Sequence, residues 1–302
     1  MFQHLLVPLD GSSLAEAILP DAQALARRLQ ARLTLLHIRE KHAPSTVHGD
    51  RHLASAQEAE QYLSALAQKL AQPGQTVAWH VHADDERGVA KMIVDQALEL
   101  GADLIVLSTH GGGAAAGLRE RLLGSIAQQV VHEGRVPVLL IRPQKDTVAG
   151  PHQIQNILLP LDGERVHEPA IPVAVALAQA LSATIHLLSV VPTVETLSGQ
   201  ESASGAVLPT AMRAVLELAQ QGGADYLQRV RTLIPIATTV EVARGDPAKA
   251  IVSAAKKVHA DLIVMATHGR MGLGAFWSAS VAPKVLNEFM GPLLLLRAEE
   301  KK

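Results

Sequence analysis

The sequence predicts an α/β protein made of two tandem domains, each a doubly wound, five-stranded parallel sheet. Three observations lead to this fold class. The chain has 302 residues, which is two domains at roughly 150 residues each. Short aliphatic runs alternate with longer helical patterns along the chain. A set of motifs in the first half also recurs in the same order in the second.

The recurring motifs define the two copies. The matching pairs are LLVPLDG (5–11) with LLPLDG (158–163), DLIVLSTHG (103–111) with DLIVMATHG (261–269), and VPVLLIR (136–142) with GPLLLLR (291–297). Asp10 thus corresponds to Asp162, and His110 corresponds to His268. The period is far longer than that of a solenoid repeat, so each copy is expected to close its own core.

The predicted strands are runs of continuous apolar residues, the pattern of parallel strands covered on both faces. In the first copy they are Leu5–Leu9, Leu33–Ile38, Val77–His82, Leu104–Ser108 and Val136–Ile141. In the second copy they are Ile157–Leu161, Thr184–Val191, Thr238–Val242, Leu262–Ala266 and Leu293–Leu296. Because helical segments separate the strands, we expect parallel connections with helices on both faces of each sheet.

The helical patterns cover about 13–30, 55–71, 87–100 and 124–133 in the first copy, and about 168–181, 210–233, 247–258 and 280–289 in the second. Asp246 followed by Pro247 indicates an N-cap with proline at the first helical position. Polar loops follow the second strand of each copy, at 40–54 and 193–209, and are candidates to cover a pocket. The polar linker 143–151 divides the chain into predicted domains 1–143 and 152–298.

Composition excludes several functional classes. The chain has no cysteine, which excludes disulfide frameworks, thiol catalysis and cysteine-ligated metal sites. Its 27 Lys and Arg against 29 Asp and Glu give no electrostatic footprint for nucleic acid or an anionic membrane. No apolar run approaches the ~20 residues of a membrane span, and the N-terminus has no signal-peptide pattern. We therefore expect a soluble, cytoplasmic protein without nucleic-acid or membrane partners.

The residues that follow the predicted strands are the binding candidates, since an open parallel sheet binds ligands outside its carboxyl ends, where the strand order reverses. Asp10 follows the first strand of copy one, and Asp162 follows that of copy two. A carboxylate in this place can accept a hydrogen bond from an exocyclic amine or a ribose hydroxyl. An equally weighted alternative is that Asp10, with Gly11 and Ser12, only caps the first helix.

A glycine-rich loop follows the fourth strand of the first copy. It runs from Ser108 through Gly111 to Gly124 and Ser125, which open an amphipathic helix. Backbone N–H groups in such a turn and at a helix N-terminus form an anion site, and Ser125 adds a hydroxyl donor. These features suit a triphosphate, although such loops also serve close helix–sheet packing. The sequence has no GxxxxGK[ST] and no GxGxxG after the first strand, which excludes a P-loop and a Rossmann dinucleotide site.

Together these motifs resemble the universal stress protein family. The resemblance rests on V-P-L-D-G at the first strand, D-L-I-V-x-x-T-H-G at the fourth, G-L and G-S before the last helix, V-P-V-L-L-I-R at the end, and R-G-D-P (244–247) in the second half. It covers essentially the whole chain. It implies two pseudo-two-fold related domains of an adenine nucleotide α-hydrolase-like fold and a role in stress adaptation. Many members of this family bind ATP.

The resemblance also implies a nucleotide site in each half. By it, the contacts would be Pro8, Asp10, Ile38, Leu107, Gly111, Gly124, Ser125 and Ile126 in the first half, and Pro160, Asp162, Val190, Met265, Gly269, Ser280 and Val281 in the second. The family pattern is G-x2-G-x9-G-[ST], and both halves depart from it. In the first, Ser108 replaces the first glycine and twelve residues instead of nine precede Gly124. In the second, Ala266 and Ala279 replace glycines. A methyl group where phosphate approaches the backbone is a steric block, which favours the first half.

We therefore expect a stress-response regulatory protein that holds ATP or a related adenine nucleotide, with or without magnesium, in at least one half. The adenine would lie by Asp10 and Ile38, and the phosphates on N–H groups of the glycine loop and of the helix that begins at Ser125. Hydrolysis should be slow at most, since the motif contains no general base or arginine finger, so we expect no enzyme in the ordinary sense. The two domains are expected to pack as a pseudo-dimer, and a homodimer of the tandem chain is left open.

Other interpretations remain open at this point. One is a nucleotide-free scaffold with degenerate motifs, and another is an enzyme of the wider fold class, although no substrate-activating loop is found. No catalytic residue and no metal ligand are assigned. His80 and His82 share one strand face beside acidic residues 84–86, and the same edge is within reach of His37, His48 and His52, but solvated histidines are favoured over zinc. Phe276 and Trp277 are expected to pack under the sheet, with an interaction anchor as the alternative.

Overall fold

The structure of the protein is a computed structural model that describes residues 2–40, 46–51, 53, 55–83, 87–109, 124–143, 151–193, 209–268 and 281–298. The chain forms two compact units, which are described one at a time. Of the described residues, the first unit holds 2–143, 151–153 and 292–297, and the second holds 154–268, 281–291 and 298. None of the helices in these ranges combines the length and the apolarity of a membrane span.

The first unit contains the five strands of the first copy and a short two-stranded hairpin. Its strands are β1 His4–Pro8, β2 Arg32–Arg39, β3 Thr46–Val47, β4 Asp50–Arg51, β5 Val77–Ala83, β6 Leu104–Ser108 and β7 Val138–Ile141. Its helices are α1 Ser13–Glu16, α2 Leu19–Leu29, α3 Ala56–Leu70, α4 Val89–Glu99 and α5 Ser125–Glu133. Strands β1 and β6 and most of β2 are buried because their apolar runs are covered on both faces.

The second unit repeats this order of elements. It contains β8 Asn156–Pro160, a short 3-10 helix Arg165–His167, α6 Ala170–Leu181, β9 Thr184–Val191, α7 Pro209–Thr232, β10 Thr238–Arg244, α8 Pro247–Lys257, β11 Leu262–His268 and α9 Val281–Glu288. The chain then ends its described part with β12 Leu293–Ala298, of which Leu293–Arg297 belong to the first unit. Asp246 caps α8 with its side chain, which accepts a hydrogen bond from the Lys249 N–H at 3.0 Å, as the sequence predicted.

Both units are doubly wound parallel sheets, which confirms the predicted fold class. In the first unit the order is β5-β2-β1-β6-β7, with every neighbouring pair parallel. The order in the second unit is β10-β9-β8-β11, again parallel. The chain order reverses between β1 and β6 in one unit and between β8 and β11 in the other. These switch points are where ligands of such folds bind.

The last strand of the chain lies in the first unit. Its residues Leu293, Leu294 and Leu295 pair antiparallel with the fully buried strand β7. Arg297 then donates to the carbonyls of His132 and Glu133 at the end of α5, at 3.0 and 3.2 Å. Strand addition covers an apolar edge that would otherwise be open to pairing with other chains.

Two helices and one loop differ from the prediction. The predicted helix 13–30 is divided into α1 and α2, because Pro20 occupies the first turn of α2 and cannot donate to a preceding turn. The helix predicted from about residue 168 begins at Ala170, after Pro169, and the separate 3-10 helix Arg165–His167 precedes it. The hairpin β3–β4 lies inside the segment that was predicted as a polar loop.

A polar network pins the amino end of each sheet in the same way. Asp103 accepts hydrogen bonds from the N–H groups of Gln3 and His4, and Asp261 accepts them from Gln155 and Asn156. The hydrogen-bonded partners on the next strand differ between the units, and the pair is buried in the first unit and half-buried in the second. In the first, His4 Nε2 lies 2.7 Å from Thr34 Oγ1; in the second, Asn156 Oδ1 lies 3.2 Å from His186 Nε2.

Candidate functional site

A cleft at the carboxyl end of the first unit's sheet is the candidate functional site. This carboxyl-end cleft lies at the switch point, and β1, β2, β6, α4 and α5 all contribute to it. Its apolar lining includes Ile38, Val89, Ile93 and Leu107. Apolar walls with a few placed polar groups are typical of small-molecule sites.

Asp10 occupies the turn after β1 and is one of those polar groups. Its Oδ1 accepts hydrogen bonds from the Ser12 N–H at 2.9 Å and from Ser12 Oγ at 2.6 Å. Ser12 is the N-cap of α1, since its Oγ accepts from the Ala15 N–H at 3.1 Å. Capping thus accounts for Ser12, while Asp10 orients it. Asp10 Oδ2 accepts no hydrogen bond from any described residue.

The turn around Asp10 requires glycine at the next position. Gly11 has a φ of +88°, a conformation that L side chains rarely adopt. An added Cβ would also approach Leu53 Cγ to 2.9 Å. Gly163 follows Asp162 with a φ of +85°, so both copies of the motif form the same turn.

The hairpin β3–β4 brings a histidine to the same carboxylate. Asp50 in β4 accepts hydrogen bonds from the N–H and the hydroxyl of Ser13 at 2.8 and 2.9 Å, which ties the hairpin to α1. These bonds hold the pKa of Asp50 below its usual value. His48 in the hairpin turn lines the cleft, and its Nε2 lies 3.6 Å from Asp10 Oδ2. The polar loop after β2 therefore reaches the cleft, as predicted.

Helix α5 presents its N-terminus to the cleft. Gly124 is its N-cap and makes no side-chain capping bond, and Ser125, Ile126 and Ala127 form its first turn. All four residues line the cleft. The N–H groups of a first turn have no partner inside their helix and carry the positive end of its dipole. This end of the cleft is therefore built to receive an anion.

The predicted residues of the first half converge on this one cleft. Those that line it are Pro8, Asp10, Ile38, Leu107, Gly124, Ser125 and Ile126. Gly111 lies outside the described residues. The prediction missed Glu40 and His48 among the polar lining, and His37, whose Nδ1 bonds to the Leu9 carbonyl at 2.8 Å. The cover loop was the available signal for Glu40 and His48, but nothing local singled out those side chains.

The second unit places Asp162 on the equivalent turn, but residues of the same unit already donate hydrogen bonds to its carboxylate. Asp162 Oδ1 accepts from the Glu164 N–H at 2.9 Å, and Oδ2 accepts from His167 Nδ1 at 2.7 Å. Burial opposes ionisation of Asp162, but the His167 and Glu164 hydrogen bonds and the His167 charge outweigh it and lower its pKa. Both oxygens of the motif carboxylate thus already have donors from the chain.

The other predicted residues of the second half are partly described. Pro160 ends β8, Val190 lies near the end of β9, and Met265 is buried in β11, three neighbouring strands. Val281 is the first residue of α9. Gly269 and Ser280 lie outside the described residues, as do His110, Phe276 and Trp277. The side chain of His268 is also outside the described part of the chain.

Comparison with known protein families shows to which family the chain belongs. A sequence profile of the universal stress protein family matches it twice, over residues 1–142 and 153–297. The chain belongs to the universal stress protein family. The two matched ranges correspond to the two copies of the repeat.

Individual members of the universal stress protein family are similar to parts of the chain. Universal stress protein YxiE of Bacillus subtilis is 30% identical over 154 residues, which is 47% of this chain and 100% of that protein. Universal stress protein MJ0531 of Methanocaldococcus jannaschii is 29% identical over 156 residues, 51% of this chain and 88% of that one. A solved universal stress protein of Archaeoglobus fulgidus covers 98% of both chains with a TM-score of 0.69 and 18% identity, a likeness of fold.

The histidine-rich edge of this universal stress protein does not assemble a metal site in the described residues. The rings of His80 and His82 lie side by side on β5, with centroids 5.9 Å apart. Nowhere in the described ranges do three His, Cys, Asp or Glu side chains come together in a way that could hold a metal ion. Residues 84–86, the suggested acidic ligands, lie outside those ranges.

Proposed function

We propose that the protein is a stress-response regulator that binds ATP or a related adenine nucleotide in the carboxyl-end cleft of the first unit. The observation that carries the proposal is the convergence of seven predicted contact residues on one cleft. Their sequence separation, from Pro8 to Ile126, makes such convergence a property of the fold and not of a local motif.

The two ends of the cleft fit the two ends of a nucleotide. Asp10 Oδ2 takes no hydrogen bond from the described residues and can accept one from the exocyclic amine of adenine or from a ribose hydroxyl. Ile38, Val89 and Leu107 supply apolar contact for a base. The first turn of α5 supplies N–H groups for phosphate, with the Ser125 hydroxyl beside them. Magnesium would be carried by the phosphates of the ligand.

We propose regulation by binding and not catalytic turnover. Among the described residues that line the cleft there is no arginine or lysine that could act on the γ-phosphate, and we expect hydrolysis to be slow at most. The proposal includes a division of roles: the first unit binds nucleotide, and the second, with Asp162 held by His167, is nucleotide-free. A protein in which neither unit binds would be the scaffold alternative.

Gly124→Val tests the proposed site. Gly124 has a φ of −56° and a ψ of 149°, an extended conformation open to valine, so the backbone is not strained by the change. The added side chain stands where phosphate would approach α5, and ATP affinity should fall by at least about tenfold. Labelled ATP is titrated against the wild type, Gly124→Val and Gly222→Ala. Gly222 lies in α7 with open space around its Cβ direction, and its variant should bind as the wild type does.

Gly269→Val places the same side chain in the glycine loop of the second half, at the position that corresponds to Gly111. Unchanged ATP affinity in Gly124→Val would contradict the assignment to the first unit, and a loss confined to Gly269→Val would move the site to the second. Absence of ATP binding by the wild-type protein, together with no copurified adenine nucleotide after denaturation, would support the scaffold alternative instead.

A further inference from the structure

A second cleft lies at the opposite, amino end of the first unit's sheet. The end of α2, the start of β2 and the loop between α3 and β5 form it, and its polar lining is Arg27, Gln30, Arg32, Gln72, Gln75 and Thr76. We name it the amino-end cleft. Its volume of about 600 Å³ lies within the range of small-molecule sites. The nucleotide proposal makes no use of it.

The charges in this cleft are positive and are not neutralised by the surrounding chain. Arg27 donates to Gln72 Oε1 at 3.4 Å, and Arg32 Nη2 lies 3.4 Å from His4 Nδ1. Neither arginine forms an ion pair with a residue that the structure describes. Asp103, the carboxylate at this end of β1, is already occupied by two backbone N–H groups. Two guanidinium groups are therefore left to face a ligand.

The second unit shows that the fold does not require these arginines. The segment ALARRLQARL (24–33) corresponds to ALAQALSATI (176–185). Both segments end their helix on a left-handed residue, Gln30 with a φ of 54° and Ser182 with a φ of 57°, and both close the turn with a 2.8 Å backbone hydrogen bond. Gln179 and Thr184 stand where the first unit has Arg27 and Arg32. The same backbone is thus built without the charges.

The loop across the cleft from these arginines is also more polar in the first unit than its counterpart in the second. Between α3 and β5 it reads AQPGQT (71–76), with amide side chains on both sides of a Pro-Gly turn. Between α7 and β10 it reads LIPIA (233–237), and Leu233 is largely exposed. Both walls of the amino-end cleft are polar or charged in the first unit, and both are uncharged in the second. The arginines and the amide side chains are thus features of the first unit that the shared backbone does not require.

We propose that the amino-end cleft of the first unit binds an anionic small molecule through its phosphate or carboxylate groups. Arg27 and Arg32 grip the anion, because the planar guanidinium fork matches the oxygens of either group. Gln72 and Gln75 add neutral amide groups that can bond to the rest of the molecule.

The test is a site-resolved titration of the full chain by backbone amide NMR. Pyrophosphate and citrate, the phosphate and carboxylate probes, are added separately at constant ionic strength. The amides of Gly74 and Gln75 report on the amino-end cleft, and those of Ser125 and Ile126 report on the carboxyl-end cleft. We expect at least one probe to shift the Gly74 and Gln75 signals, and the stronger of the two names the ligand class.

The decisive variant is Arg27→Gln/Arg32→Thr, which introduces the residues of the second unit and should leave the fold intact. It should weaken binding at Gly74 and Gln75 by at least about tenfold. Arg231→Gln removes an exposed positive charge from α7 and should leave that binding within about twofold. No shift at Gly74 and Gln75 with either probe, or equal shifts in the double variant, would overturn the proposal. Nucleotide binding at Ser125 should be the same in all three proteins.

Discussion

In the first unit Asp10 receives both of its hydrogen bonds on Oδ1, from the backbone and hydroxyl of Ser12. In the second unit Asp162 receives one on each oxygen, from the Glu164 N–H and from His167. The turn, its positive-φ glycine and the strand before it are the same in both. The repeat therefore preserves the position of the carboxylate and varies its remaining capacity to accept hydrogen bonds.

The buried and the exposed differences between the units teach different lessons. At the amino ends of the strands, His4 with Thr34 in the first unit is replaced by Asn156 with His186 in the second, so the identities change while a hydrogen-bonded pair is kept. At the surface, Gln179 and Thr184 take the places of Arg27 and Arg32 without a compensating change. A polar group removed from water must keep a partner, whereas an exposed charge can be lost without leaving another group unpaired. The kept pair therefore reflects a requirement of the fold, and the two arginines do not.

The largest expected effect is on ATP affinity in Asp10→Asn. Loss of a charged acceptor for adenine or ribose should weaken binding by at least about tenfold, because a hydrogen bond to a charged group contributes about 1.5–3 kcal/mol. Asp162→Asn is the matched change in the second unit and should alter affinity by less than about twofold. Calorimetric titration of both variants measures this. An equal loss of ATP affinity in the two variants would show that the carboxylates are equivalent and would contradict the difference between the units.

The next largest effect is expected on the free energy of unfolding, when the polar pair of His4 and Thr34 is exchanged for that of the second unit. His4→Asn should lower the free energy of unfolding by about 1–2 kcal/mol, because it leaves a buried hydroxyl without its partner. Adding Thr34→His and Ala78→Thr rebuilds the arrangement of the second unit, where His186 also bonds to Thr239 at 2.7 Å. We expect the triple variant to recover at least half of the loss in urea unfolding. No recovery of stability in the triple variant would mean that the sheet of the first unit cannot accommodate the hydrogen-bonded residues of the second.

The His4 variant also has a pH dependence of defined sign. Burial, and then the charge of Arg32, lower the pKa of His4. The unfolded chain therefore takes up the proton first as the pH falls through about 6.5. The advantage of the wild type over His4→Asn should be complete above that pH and should shrink below it. A constant difference across this range would contradict the shift.

A smaller effect is expected from Asp162→Asn on stability. Because the pKa of Asp162 is lowered, its ionised form stabilises the fold above the usual carboxyl pKa of about 4, and that contribution is lost as the pH falls through the lower folded value. The side chain is half-exposed, so we expect a loss of about 1 kcal/mol near neutral pH. Glu241→Gln, which removes an exposed pair with Lys257, is the control and should cost less. Urea unfolding at a series of pH values should show the Asp162 difference closing below about pH 4.

The strands could be predicted from local patterns, and seven of the residues predicted as nucleotide contacts line one cleft, while their contact with a nucleotide stays a prediction. Continuous apolar runs define β1 and β6, and the residues after them reach the same edge in any parallel sheet. Local patterns do not predict that His48 lies near Asp10. The Asp50–Ser13 contact holds it there, and that contact joins residues 37 positions apart. Local patterns do not predict the assignment of β12 to the first unit either, since an apolar run does not specify its neighbour.

The second unit's carboxylate shows the same limit at short range. His167 lies only five positions after Asp162, yet no motif marks it as a partner. His167 is the last residue of the 3-10 helix Arg165–His167, which ends before Pro169 and the start of α6 at Ala170. Sequence periodicity predicts a helix at about 168–181, and the 3-10 helix that holds His167 lies before that range.

The smallest expected difference between the units concerns the chain's two tyrosines. Tyr62 lies on α3 and Tyr226 on α7, and each lies near the charge of a glutamate six positions after the motif aspartate, Glu16 or Glu168. Burial, then the charge of that glutamate, raises the pKa of Tyr226 to about 12 and that of Tyr62 further. The Tyr226 hydroxyl donates to Glu168 at 3.4 Å, whereas the Tyr62 hydroxyl is buried with no hydrogen-bond partner among the described residues.

A tyrosinate absorbance titration of the wild type, Tyr62→Phe and Tyr226→Phe tests this difference. Both hydroxyls should remain protonated through the usual value of about 10, and Tyr226 should ionise first. Since a raised pKa contributes stability that is present below the unfolded value and lost as the pH rises through the folded one, unfolding at high pH should accompany the ionisation of Tyr62. Ionisation of Tyr62 before Tyr226, or of either near the usual value, would show that burial does not shield the two hydroxyls as the structure has it.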